Sequence, residues 1–83
     1  MSTEATTLNE LTPGQAGVVQ AIDSGHPGVV RLMVLGVVEG VSVRVRSKAI
    51  GGDPVEVEVH GTAISVRREQ GRHFLIARLP ESG

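Results

Sequence analysis

His26, His60 and His73 are the residues of this chain with the chemistry to bind a metal or shuttle protons near neutral pH. Their spacing matches no zinc pattern, and there is no cysteine to complete one. His60 and His73 could meet if their flanking strands were neighbours; otherwise all three read as solvent-exposed turn residues. The serines stand in no nucleophile-elbow motif, and no His-Glu-x-x-His pair is present. Gly51-Gly52-Asp53-Pro54 has the small residues of a phosphate loop but not its Lys-Ser/Thr ending, and a strand follows it rather than a helix. It reads as a hairpin turn. We therefore expect no catalytic residue, no metal ligand and no cofactor, and do not read the chain as an enzyme. Arg67 and Arg68, with Arg72 and Arg78, make the last third locally basic. That pattern fits a solvated rim or a contact for an acidic surface on a partner.

The elements that would position these groups follow from composition. Eighty-three residues allow one domain. The chain holds one Phe, no Trp and no Tyr, with apolar content dominated by Val, and eleven glycines punctuate it. Stiff β-branched residues between glycine turns favour short strands in a small barrel or sandwich. The scarcity of aromatics opposes base stacking on single-stranded nucleic acid and an aromatic-lined polyproline groove. A net charge of −1 gives no field to gather nucleic acid or anionic lipid. No apolar run reaches the roughly 18 residues of a membrane span, and the start has no signal-peptide pattern, so a cytoplasmic protein without direct membrane insertion is expected.

Along the chain, residues 1–7 read as a disordered tail, 8–79 as the domain and 80–83 as a frayed end. Leu8 and Leu11 anchor the start. Pro13 and Gly14 fit a type II turn. Residues 17–22 read as the first strand. Residues 29–35 lack strict alternation and fit either a buried strand or one to two turns of helix; Pro27 near the start and Gly36 at the place of a left-handed cap favour the helix. Leu32 and Leu35, three apart, would face the core. Gly40 and Gly61 mark further turns. Val41, Val43 and Val45 alternate with polar residues, as do Val55, Val57 and Val59. These two strands should pair, with Arg44 and Arg46 facing Glu56 and Glu58. Ile64 and Val66 point inward from the next strand, and Phe74 and Ile76 from the last. Residues 67–72 read as a polar excursion with a single 3₁₀ turn.

The helix carries more apolar residues than a small core can absorb. With Leu32 and Leu35 inward, Val30, Met33 and Val34 should leave an apolar surface beside Arg31, extended by Val37 and Val38. The expected partner interface is therefore Val30, Arg31, Met33 and Val34, with Arg67 and Arg68 as a second contact. Exposed Val and Met also make self-association an expectation.

Leu8-x-x-Leu11-x-Pro13-Gly14-Gln15, followed by Val19 and Ile22, resembles the opening of the FeoA family. So do Arg31-Leu32-x-x-Leu35-Gly36-Val37-x-x-Gly40-Val41, Asp53-Pro54-Val55-x-Val57, Gly61-x-x-Ile64-Ser65-Val66-Arg67-Arg68 and Phe74-x-Ile76. The resemblance implies a mainly β fold: an SH3-like β-barrel of about five strands, with one short helix after the first strand. It also implies a non-catalytic, cytoplasmic accessory protein of ferrous-iron transport that docks on the cytoplasmic part of FeoB, a membrane transporter with a GTP-binding domain. The same domain type closes iron-dependent repressors, so the alternative is a stand-alone SH3-like regulatory or peptide-binding module. An RNA-binding module with an SH3-like barrel is opposed by the charge and the missing aromatics. Two departures stand out: Met33 and Val34 replace residues that are often polar, and Gly71 replaces a frequent Ala, which should loosen the last turn.

Overall fold

Alternating valines build the core. The computed structural model describes residues 5–80. In chain order it contains β1 (Ala5–Thr7), a 3₁₀ turn (Leu8–Glu10), β2 (Ala16–Ile22), α1 (Pro27–Val34), β3 (Ser42–Lys48), a second 3₁₀ turn (Ile50–Gly52), β4 (Val55–Val59), β5 (Thr62–Val66), α2 (Arg68–Gly71) and β6 (Phe74–Arg78). All ladders are antiparallel, in the order β1-β6-β2-β3-β4-β5. Val43, Val45, Val55, Val57, Val59, Ile64 and Val66 are buried from β3, β4 and β5, and meet Phe74 and Ile76 from β6. Val29, Leu32, Leu8 and Leu11 close the core from α1 and the chain's opening segment. Period-two alternation delivers the strand side chains to one face of the sheet.

Turn chemistry follows the sequence closely. Gly14, Gly36, Gly40 and Gly61 all adopt positive φ. Gly61 (φ 78°) follows His60 (φ 52°) in the two-residue link between β4 and β5, the backbone of a type I′ hairpin. Gly36 (φ 114°) ends α1. Its N–H donates to the Met33 carbonyl, and that of Val37 donates to Leu32, a double cap that satisfies the last carbonyls. At the other end of α1, Pro27 takes the first turn, and the His26 Nδ1 accepts from the Gly28 N–H at 3.1 Å.

Several expectations are corrected. The sheet has six strands where about five were expected, because Ala5–Thr7 pairs with Leu75–Ala77 of β6. Those residues are therefore not part of a disordered tail; residues 1–4 and 81–83 lie outside the described part. The Glu10 carboxylate holds β1 in place, accepting from the Thr6 hydroxyl and from the Thr7 N–H at 3.0 Å. The helix accordingly follows the second strand. The edge strands β1 and β5 do not pair with each other, so the SH3-like architecture is open in its hydrogen bonding rather than a closed barrel. Residues 68–71 form one turn of α-helix in place of a 3₁₀ turn. β3 and β4 pair as expected, but their charges do not form the expected ion pairs. Arg44 lies opposite Glu58, yet its guanidinium donates to the Gly14 carbonyl at 2.6 Å. A register shift between Val45 and Ser47 displaces Arg46, and Glu56 accepts from Ser47 instead.

Two glycines matter for close approach rather than for φ. A Cβ on Gly17 would collide with the Ile76 methyl and lie 2.8 Å from the Ala77 carbonyl oxygen, where β2 crosses β6. Gly71 is buried, and a Cβ there would strike the Asn9 side chain. The Asn9 amide donates to the Arg68 carbonyl at 3.0 Å, so the bare backbone at Gly71 tightens the seat of α2 rather than loosening it.

Gly17→Ala should destabilise the fold by about 1–3 kcal/mol through overpacking, read as a lower urea midpoint. Gly25→Ala, where only the Asp23 carboxylate lies nearby at 3.5 Å, serves as the control and should shift it far less. Hydrogen bonds from Thr6 and then Thr7 hold the Glu10 carboxyl below its ordinary pKa of 4.5. Its stabilising effect is complete above the unfolded-state pKa and is lost as pH falls through the lowered folded-state value. Glu10→Gln should therefore unfold at lower urea than the parent at pH 7, with the gap closing in acid; an equal gap at pH 3 and pH 7 would refute this anchor.

Candidate functional site

The surface that stands out lies on and beside α1. The helix buries Val29 and Leu32, leaves Met33 half-buried against the core, and turns Val30 and Val34 outward. Val34 is 80% exposed and Leu35 54%. The expectation that Leu35 packs inward is thus overturned. The inward stripe runs through Val29 and Leu32 because the chain leaves the helix at Leu35 and turns sharply at Gly36. Val37 then re-enters the core, so it does not extend the exposed surface, whereas Val38 does. Val30, Val34, Leu35 and Val38 form the exposed apolar set, with Arg31 also exposed among them.

Next to this face runs a groove of about 440 Å³, lined by Arg31 and Leu32 from α1, by Leu35 just past its end, by residues 62–65 of β5, and by Arg67 and Gln70. Gln70 braces it: its side-chain oxygen accepts from the Arg67 N–H at 2.9 Å, and its amide reaches the Gly28 carbonyl at 3.5 Å. The two arginines of the expected second contact separate here. Arg67 lines the groove and lies 3.8 Å from Asp53 across an exposed ion pair, which adds little stability. Arg68 turns away: its guanidinium donates to the Gly51 carbonyl at 2.7 Å, and its backbone N–H donates to Asp53 Oδ1 at 3.0 Å. Arg68 thereby clasps the turn between β3 and β4 and starts α2 on the Asp53 carboxylate.

The histidines are arranged differently from the pairing raised by the sequence. His73 stacks on His26, with ring centroids 5.3 Å apart, and its Nδ1 lies 3.4 Å from Asp23 Oδ2. His60 sits apart, in the β4–β5 turn near Gly36. One nitrogen of His26 is already committed to capping α1. Among the described residues no group of three or more His, Asp or Glu is placed to hold a metal ion. A second, polar hollow of about 260 Å³ beside Pro13, Gly14 and Arg44 has its guanidinium spent on the Gly14 carbonyl.

The sequence pointed to the exposure of Val30, Arg31, Val34 and Val38 but not to that of Leu35 or to the contribution of β5. The Gly36 cap was the available signal, because a helix ending at residue 34 cannot carry Leu35 on its inner stripe. The exposure of Ile50, in the β3–β4 turn, had no signal beyond the two glycines that follow it.

Among curated proteins none matches the sequence. The solved structure of a FeoA-like protein from Clostridium acetobutylicum is 26% identical, with 98% of this chain and 94% of that one aligned and a TM-score of 0.86. A zinc-complexed Stenotrophomonas maltophilia FeoA, an SH3 domain protein, is 31% identical over 86% of this chain and 88% of that one, with a TM-score of 0.76. A manganese-dependent transcriptional repressor shares the fold at 16% identity and a TM-score of 0.80; 95% of this chain aligns with 44% of it. The FeoA domain family model matches residues 6–77, nearly the whole of the strand, turn and helix framework described above, and on that match this chain belongs to the FeoA family.

Proposed function

We propose that this chain is a non-catalytic accessory protein of ferrous-iron uptake that works in the cytoplasm by docking on the cytoplasmic part of the FeoB transporter. The FeoA family is linked to ferrous-iron transport, and the S. maltophilia relative has been put forward as a candidate ferrous iron transport activating factor. The observation that carries the docking surface is the apolar set Val30, Val34, Leu35 and Val38, with Arg31 among them. Solvent-facing valines and a leucine on one short helix gain nothing for the folded monomer, and their burial against a partner would remove apolar area from water. Met33, half-buried beneath them, supplies adaptable packing. Arg67 lies across the groove as an added polar contact. The shared fold with a metal-dependent repressor supports the second reading, a regulatory module bound to another cytoplasmic protein.

Titration of this chain with the purified cytoplasmic part of FeoB tests the first reading. Val34→Glu and Leu35→Glu should each weaken binding about tenfold or more and depress iron uptake in cells, with little change in the urea midpoint, because both side chains are exposed. Arg68→Ala should do the reverse, lowering the urea midpoint by releasing Gly51 while leaving affinity close to the parent. No binding by the parent, or binding and uptake unaffected by both glutamates, would eliminate this surface.

A further inference from the structure

The outer edge of β5 is open in a way that edges of stable sheets seldom are. β5 (Thr62–Val66) pairs with β4 on one side only, and among the described residues no strand covers the other. The two-residue hairpin makes Val59 and Thr62 a hydrogen-bonded pair. Antiparallel alternation then turns the backbone groups of Thr62, Ile64 and Val66 toward β4, and those of Ala63 and Ser65 outward. Proteins usually blunt such an edge with Lys, Pro, a bulge or a covering segment. The β5 sequence Thr-Ala-Ile-Ser-Val has no charge and no Pro, its ladder with β4 runs without a register shift, and Ala63 and Ser65 are small and exposed. This edge also forms one wall of the 440 Å³ groove, with Leu32 of α1 and Leu35 just past its end opposite.

The charges around the groove state what would lie in it. Arg31 and Arg67 line it, and no carboxylate does. Arg67 has Asp53 at 3.8 Å, whereas no acidic side chain among the described residues ion-pairs with Arg31. The chain's own inner neighbour of β5 is the alternating acidic strand Val55-Glu56-Val57-Glu58-Val59. A second copy adding its β5 edge would instead bring a second Arg31 and Arg67 into the same space.

We propose that the outer edge of β5 and the groove under α1 form a strand-addition site that takes an extended, acidic, alternating apolar segment of a partner protein. Its backbone would pair with Ala63 and Ser65, its apolar side chains would lie against Leu32 and Leu35, and its carboxylates would meet Arg31 and Arg67. This surface adjoins the exposed face of α1 but does not depend on which protein that face binds.

The test is an NMR titration of the ¹⁵N-labelled full chain with an acetylated, amidated Ser-Val-Glu-Val-Glu-Val-Ser peptide. The proposal expects shifts centred on the Ala63 and Ser65 amides, slower exchange of those two N–H groups, and affinity that falls with added salt. The same peptide N-methylated at alternate amides should lose binding in one of the two phases, by about five- to tenfold or more. Arg31→Glu should weaken binding about five- to tenfold. Ala63→Pro should weaken it similarly while keeping the β4–β5 ladder, since that N–H points outward. The Lys-for-Glu peptide should not bind. No binding by the acidic peptide, equal binding by the basic one, indifference to N-methylation in both phases, or shifts at Ala63 and Ser65 that track protein concentration without peptide would each overturn the proposal, the last in favour of a second copy. Peptide binding alongside failure of FeoB to bind would leave this site standing and remove only the docking partner proposed above.

Discussion

A core with a single Phe must be filled by small, stiff side chains, and that constraint governs the rest of the molecule. Valine contributes little volume per residue, so many must converge from several strands before water is excluded. β3, β4 and β5 supply them at every second position, and β6 supplies Phe74 and Ile76 to the middle. The packing leaves little slack. Gly17 must stay bare for β2 to approach β6, and Gly71 for α2 to approach Asn9. The surplus of apolar residues in α1 follows from the same limit. Once Val29 and Leu32 fill the helix-side opening, no space inside remains for Val34 or Leu35.

The function proposed for this fold uses its outside. Neither hollow described above gathers an acid–base pair or nucleophile with its supporting groups, and the histidines are occupied with a helix cap, a stacking contact and a turn. What the surface offers is an apolar helix face, an uncovered strand edge beside it, and two arginines along the groove between them. The short α2 keeps these parts in register, since Gln70 ties it to α1 while Arg68 and Asp53 tie it to the β3–β4 turn. Rigid support of this kind lowers the ordering cost of association.

Much of the fold was legible because it depends on local rules. Alternation in 41–46 and 55–59 identified the paired strands, and glycine at 14, 36, 40 and 61 marked where φ must be positive. Pro27 and Gly36 bracketed the helix. The candidate surface was partly legible for the same reason: Val30 and Val34 exceed what one helical stripe can bury. Most of the misreadings were nonlocal. Ala5–Thr7 has no apolar alternation of its own and becomes a strand because β6 presents a free edge and Glu10 binds its two threonines. Arg44 faces Glu58 in register, yet its guanidinium donates to the Gly14 carbonyl of the distant Pro13–Gly14 turn instead. Leu35 looked equivalent to Leu32 by spacing, and only the Schellman turn set it outside.

The sequence by itself determined the class of structure: valine strands, glycine turns, one apolar helix and near-neutral charge. These depend on side-chain stereochemistry and period, which act over a few residues. Tertiary structure alone decided which strand lies at the edge, which arginine lines a groove and which braces a turn, and where His73 rests. Those outcomes are set by contacts between residues far apart in the chain, and the competition among such contacts is resolved only when the whole chain is packed.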